Sequence, residues 1–307
     1  MTSGTYDHDP LALDETRSSV VRMLRIFDVE AVGEPADEGL GPTSFVGRSD
    51  GGGRGMVDGS QVLGQGIVAA AKAVPALTPR SAYATFIRMV DPDELIDFDV
   101  EVVHAGRTMG SVLVRASQRD RTLVTVSVLL DVPSDDVIRH DAELPAIGGS
   151  SNAHERSMPM IGRELRMHEV VDPNDPDEVG PPFLDAWLRY DPIPERDDLR
   201  KALLAHYTGH LSISTTMRPH AGVGTAQAHV SISTGVMAIQ VSFHEPVTWD
   251  GWILYHHEST AVGSGMSYVR GQVFSEEGHL LASFSQDGMI RPMAARTSDS
   301  REVKHRL

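Results

Sequence analysis

The sequence predicts an α+β fold built twice in tandem, each unit a helix wrapped by an antiparallel sheet. Three observations point there. Shifting the chain by 157 positions superposes its halves without gaps: Phe86 falls on Phe243, Val90 on Val247, Gly106 on Gly263, Met109 on Met266, Val112 on Val269 and Leu123 on Leu280. Turns coincide too, "SQRDRT" (117–122) with "FSEEGH" (274–279), each between two strand patterns. A polar stretch bearing Pro, Gly and Ser, residues 132–160, separates the halves as a linker does.

The elements follow in order. Residues 1–16 are polar and acidic, with no apolar stretch of the signal-peptide kind, and are expected to be flexible. The first unit, 17–131, opens on the helix "GSQVLGQGIVAAAKAV" (59–74), apolar nearly all round and rich in Gly and Ala, so it packs close against other backbone. Alternating and continuous β-branched runs follow it as strands. After the 132–160 linker, the second unit (161–295) repeats the plan, its helix running from about Asp197 through "LRKALLAHYTGHLSIS". The tail 296–307 reads as flexible. A small-residue helix wrapped by its own antiparallel sheet is the hotdog arrangement; two in one chain, joined edge to edge, make a double hotdog.

Composition narrows the function. With 307 residues and 40% hydrophobic content the chain can bury two ordinary cores. No run approaches the ~20 apolar residues of a membrane span. The absence of cysteine excludes disulfides, thiolate metal sites and cysteine nucleophiles, and fits a reducing cytoplasm. A net charge of −16 argues against nucleic acid or anionic membranes as partners, though a local basic patch can still hold a small anion. No G-x-G-x-x-G, P-loop or G-x-S-x-G elbow occurs, and no cofactor is expected.

Several separated stretches resemble the acyl-CoA thioesterase II family, across roughly residues 20–292. "DGSQVLGQGIVAAAKAVP" (58–75) is similar to the family's "GGQVVGQAL" helix opening, which marks Gly59 and Gln65 as binding positions. "ATFIRMVDPDELIDFDVEVVHAGRTM" (84–109) and "VSFHEPVTWDGWILYHHESTAVGSGMSYVRGQVFSEEGHLLASFSQDGMIR" (241–291) carry further family-like motifs. The resemblance implies hydrolysis of acyl-CoA to free acid and CoA, and a homo-oligomer. It also implies water held by an Asp, a Thr or Ser, and a Gln. A carboxylate orients or deprotonates the water, while amide donors stabilise the oxyanion.

The family's Gln matches Gln286, which the 157 shift sets on Leu129, a polar residue in place of a core Leu. Its Asp falls on Gly209, and its Thr/Ser on Val236. Substitutes are therefore needed. Asp58 offers a carboxylate at the start of the first helix, unless it serves only as N-cap. His210 stands beside the vacated Asp position as a base, Thr208 can hold water, Tyr207 can line or narrow the acyl tunnel, and Thr234 can replace the hydroxyl. Arg107, Arg270 and Arg291 suit CoA phosphates. His206 and His210, four apart, would share a helix face, but no third ligand lies nearby in sequence and no metal is expected. His256 and His257 point to opposite faces of a strand. The alternative reading is a silent double hotdog that binds an acyl ligand without turnover.

Overall fold

A computed structural model describes residues 19–33, 35, 39–51, 57–156, 160–168 and 175–293; the two expected flexible ends, 1–16 and 296–307, lie outside these. The first half contains α1 (Val20–Phe27), β1 (Glu30–Ala31), β2 (Ser44–Gly47), α2 (Gly59–Ala73), β3 (Thr78–Phe86), β4 (Ile96–Ala105), β5 (Met109–Gln118) and β6 (Arg121–Asp131). The second contains β7 (His154–Glu155), β8 (Arg163–Met167), β9 (Phe183–Tyr190), α3 (Asp197–Tyr207), α4 (Ser212–Met217), β10 (Ile232–Phe243), β11 (Ile253–Gly263), β12 (Met266–Ser275) and β13 (Leu280–Pro292).

All thirteen strands join one sheet in the order β1-β2-β4-β5-β6-β3-β10-β13-β12-β11-β9-β8-β7. Read outward from the central β3–β10 pair, the first six strands on each side follow the same order, and β7 adds a seventh on the outer edge of the second half. This is the double hotdog, and irregularities repeat along with regular structure. The ladders skip Arg80 and Val103 in the first half and Met237 and Thr260 in the second, each pair 157 apart. A bulge re-aims every later side chain on its strand, so matching bulges keep matching faces inward.

The gapless register fails in two places. Arg119 and Asp120 form a two-residue turn with both φ values positive, whereas Glu276–Gly278 form a three-residue turn whose Gly278 sits at φ 94°. The extra residue shifts β13 to a spacing of 158, so Leu123 corresponds to Leu281 rather than Leu280. The counterpart of Gln286 is Val128, fully buried, and not Leu129, whose side chain points outward. A one-residue slip exchanges the two faces of a strand.

The helices depart further, because Val74–Leu77 connect α2 to β3 while residues 208–231 connect α3 to β10. The second helix is accordingly shorter, and α4 fills the inserted stretch. α2 is buried along nearly its whole length. At Gly64 a Cβ would come within 2.8 Å of the Phe27 ring and 3.3 Å of the Ala202 carbonyl, so α1 and α3 both press on glycine. Asp28 ties three helices: Lys72 of α2 and Arg196 before α3 reach it at 2.6 and 2.8 Å. Burial opposes ionisation of Asp28, but these two cations outweigh it and hold its carboxyl below the usual range. The stretch read as a linker packs on the outer face of the second half, where Ala142, Leu144, Ile147 and Ala153 cover Trp187, Trp252, Leu254, Phe274 and Leu280.

Candidate functional site

The hexapeptide "AHYTGH" straddles a helix end instead of lying within one helix. α3 stops at Tyr207, the next amides bond three residues back (Gly209 to His206, His210 to Tyr207), and Leu211 takes φ 62° before α4 begins. His206 is therefore in the last turn and His210 just beyond it. Their rings still meet edge to face, with centroids 4.9 Å apart. His210 also stacks on Tyr207 at 5.0 Å.

The third member comes from the other half of the chain. Asp58 occupies the N-cap position of α2, yet its side chain makes no cap hydrogen bond. Its Oδ2 lies 3.9 Å from His210 Nε2, and ligand atoms of Asp58, His206 and His210 all fall within 4.8 Å of one another. Gly209 sets this apposition: a Cβ there would sit 2.6 Å from Ser60 Oγ and 2.7 Å from Ser60 Cβ. The beginning of α2 thus occupies the space that a side chain at 209 would need. A longer side chain at 209 has no room here, and Asp58 brings a carboxylate to the same neighbourhood from α2. The i, i+4 spacing paired His206 with His210 in the sequence and Asp58 was named separately; that Asp58 joins the two histidines has no signal in the sequence.

Gln286 lies on the inner face of β13, paired with Ile239 and Val269, and is 1% exposed. Among the described residues neither its Oε1 nor its Nε2 has a hydrogen-bond partner. Two positions along the same face, a Cβ on Gly288 would lie 3.1 Å from Ile213 of α4. An aromatic layer runs between the histidine cluster and this strand, with Tyr207 4.9 Å from Tyr255, and Tyr255 6.5 Å from Phe284. Burial drives the Tyr207 hydroxyl far above its ordinary pKa, so it remains a neutral phenol. His257 also faces inward; desolvation pushes it down to about 4, with Asp185 opposing.

Other expected residues have different employment. Gln65 is fully buried; its Nε2 donates to the carbonyls of Ile26 (2.9 Å) and Arg48 (2.8 Å), which pins the chain at the end of α1 and just after β2, while its Oε1 has no partner among the described residues. Thr208 gives its hydroxyl proton to the Ala205 carbonyl at 2.6 Å. Gly59 packs beneath Phe86, where a Cβ would come within 2.7 Å of the ring. Thr234 pairs with Ile290, four residues along β13 from Gln286 and about 13 Å away by strand rise. Its Oγ1 approaches His229 Nε2 at 3.5 Å. Arg107 is exposed at the β4–β5 turn, Arg270 is held by Glu258 at 2.9 Å, and Arg291 lies along Gly265. None of the three arginines joins the cluster. His256 faces outward, opposite to His257 as expected, its Nδ1 2.7 Å from Asp185, and lines a cavity of about 330 Å³ with Glu258, Arg270, Gln272 and Ser283.

A helix wrapped by antiparallel sheet, duplicated, with a buried unsatisfied amide on the second half's strands, defines a double hotdog protein. The comparisons make this specific. Residues 49–130 match the acyl-CoA thioesterase N-terminal domain, and 140–290 match the acyl-CoA thioesterase C-terminal domain. The chain belongs to the acyl-CoA thioesterase II family. It is 26% identical over 266 residues to acyl-CoA thioesterase 2 of Haemophilus influenzae, covering 80% of this chain and 92% of that one. It is 24% identical over 259 residues to acyl-coenzyme A thioesterase 8 of Rattus norvegicus, covering 76% of this chain and 79% of that one. Among solved structures, the TesB protein of Mycobacterium avium subsp. paratuberculosis superposes with a TM-score of 0.73 at 21% identity, covering 89% of this chain and all of that one. An acyl-CoA thioesterase II of Mycobacterium marinum gives 0.72 at 20% identity, covering 89% and 99%.

Proposed function

We propose that this protein hydrolyses acyl-CoA thioesters to the free acid and CoA. The observation that carries the proposal is the Gln286 amide, buried with both polar atoms unbonded, at a position where the first half places Val128. A buried polar group left unpaired costs about 1–3 kcal/mol, so its retention fits a group completed by substrate. In this reading Nε2 donates to the thioester oxygen as negative charge develops there, and Oε1 accepts from the attacking water. Asp58 and His210 supply the water-binding polar cluster in place of the family's Asp. The free N–H groups at the α2 N-terminus, beginning at Gly59, add positive potential beside it.

The proposal includes two functional units at 17–131 and 161–295, a cytoplasmic location, and a homo-oligomer. Among the described residues no helix is long and apolar enough to cross a membrane. Exposed Tyr83, Leu113 and Leu129 on the outer face of the first half are the kind of apolar surface a second copy would cover. The closed position at Gly209 and the Val at 236 favour the alternative, a silent acyl-ligand binder. Release of free CoA across acyl chain lengths, from the native protein and Gln286→Ala, decides between them. Turnover lost in the variant is expected. Saturable acyl-CoA binding with no turnover at any length overturns hydrolysis, and turnover untouched by Gln286→Ala overturns the role of Gln286.

A further inference from the structure

We propose that Asp58, His206 and His210 together bind one divalent transition cation of the zinc class. The inference deepens the hydrolytic reading, since the ion would sit in the cluster assigned to the attacking water. Two imidazoles and one carboxylate form a ligand set suited to such a cation, and three protein ligands leave a coordination position for water.

Four features of the geometry carry it. The ligand atoms converge within 4.8 Å although they come from opposite halves of the chain. The 3.9 Å between His210 Nε2 and Asp58 Oδ2 is too long for a hydrogen bond. It needs to close by less than about 1 Å to place both atoms at metal-bond distance, roughly 2.0–2.2 Å, from a shared ion. His210 Nδ1 lies 3.2 Å from the His206 carbonyl, which can only accept, so Nδ1 is the donor of that contact and Nε2 is the ring atom that faces Asp58. Metal-bound histidines are oriented in this way by a backbone carbonyl on the far nitrogen. Finally, burial is graded. His206 is 2% exposed, whereas Asp58 and His210 are partly exposed, which gives the ion a route in and the water a place to bind. The Gly209–Ser60 contact holds the two segments in this arrangement before any ion arrives.

An ion so held would present its water to the thioester carbon. The water oxygen adds to that carbon, the C–S bond then breaks, and the water's displaced proton ends on the CoA sulfur.

The test uses the full-length chain stripped with chelator and titrated with Zn²⁺ by calorimetry, then with Co²⁺ by visible absorption. One equivalent is expected to bind, with a rise in melting temperature. Asp58→Asn and His210→Gln, both at partly exposed positions, are each expected to weaken binding by more than about tenfold. No saturable binding overturns the site. Equal binding by native protein, Asp58→Asn and His210→Gln also overturns it, since the ion would then be held by histidines elsewhere. Free-CoA release with and without Zn²⁺ separates this from the hydrolytic reading: metal bound without turnover sinks hydrolysis alone, and turnover in metal-free protein that binds no ion sinks the metal site alone.

Discussion

The two halves of this molecule share strand order, hairpins and bulges, and differ at a handful of inward-facing positions. Where the first half buries Val128 and Val100, the second buries Gln286 and His257. Where α2 continues for fifteen residues, α3 stops after eleven and gives way to the Tyr207–His210 turn and α4. The first half buries polar side chains too, among them Gln61, Gln65 and Gln118. At the two inward-facing strand positions just named, however, only the second half accepts polar groups, which a protein retains when function needs them. The division is not complete, because Asp58 is lent by the first half.

Exchanging residues between equivalent positions is the most direct way to break the comparison. Gln286→Val is expected to lower kcat/KM for CoA release by about 100-fold or more, the loss typical of one oxyanion donor. The same change leaves melting temperature unchanged or raises it, since an unsatisfied amide is removed. The reciprocal Val128→Gln buries a new amide in the first half and is expected to cost about 1–3 kcal/mol in chemical denaturation. Equal tolerance of both exchanges would mean that the halves are interchangeable and that Gln286 has no special task.

His257 gives the second contrast. Burial holds its folded pKa at about 4 against an ordinary 6.5, so above pH 6.5 it is neutral folded or unfolded and stability is indifferent to pH. Below 6.5 the unfolded chain takes up a proton that the folded chain refuses. Stability therefore falls with pH between about 6.5 and 4, by on the order of 3 kcal/mol in all. His257→Val, which installs the first half's residue, is expected to flatten that part of the stability–pH curve. An unchanged slope would locate the acid sensitivity elsewhere.

Much of this was legible in the sequence, and the failures have identifiable causes. β-branched runs and coinciding turns revealed the duplicated sheet, because a strand's burial is written locally with period two. The slip at β13 came from one residue, Gly278, whose positive φ lets the turn hold three residues instead of two. Gln65 and Gln286 look alike as lone glutamines in apolar runs; only the approach of Ile26 and Arg48 shows that one is committed to backbone and the other is not. The Asp58–His206–His210 cluster joins residues from two halves, and no periodicity records which helix ends meet.

The contact between those helix ends yields the smallest expected effect and tests why position 209 is glycine. A methyl group there would sit 2.7 Å from Ser60 Cβ, closer than carbon atoms tolerate, and rotating the Ser60 hydroxyl away does not relieve it. Gly209→Ala should therefore push α2 from the end of α3 and cost about 1–2 kcal/mol, as overpacking does. Ser60→Gly in the same background removes the obstructing atoms, and the double variant should recover most of the loss; a coupling near zero in that cycle would show that the two helix ends are not in contact. The same logic governs Gly209→Asp, which restores the family's residue type. Without Ser60→Gly its carboxylate has no room, so it is expected to lower stability without raising turnover, whereas with Ser60→Gly it tests whether a carboxylate at 209 can take over from Asp58.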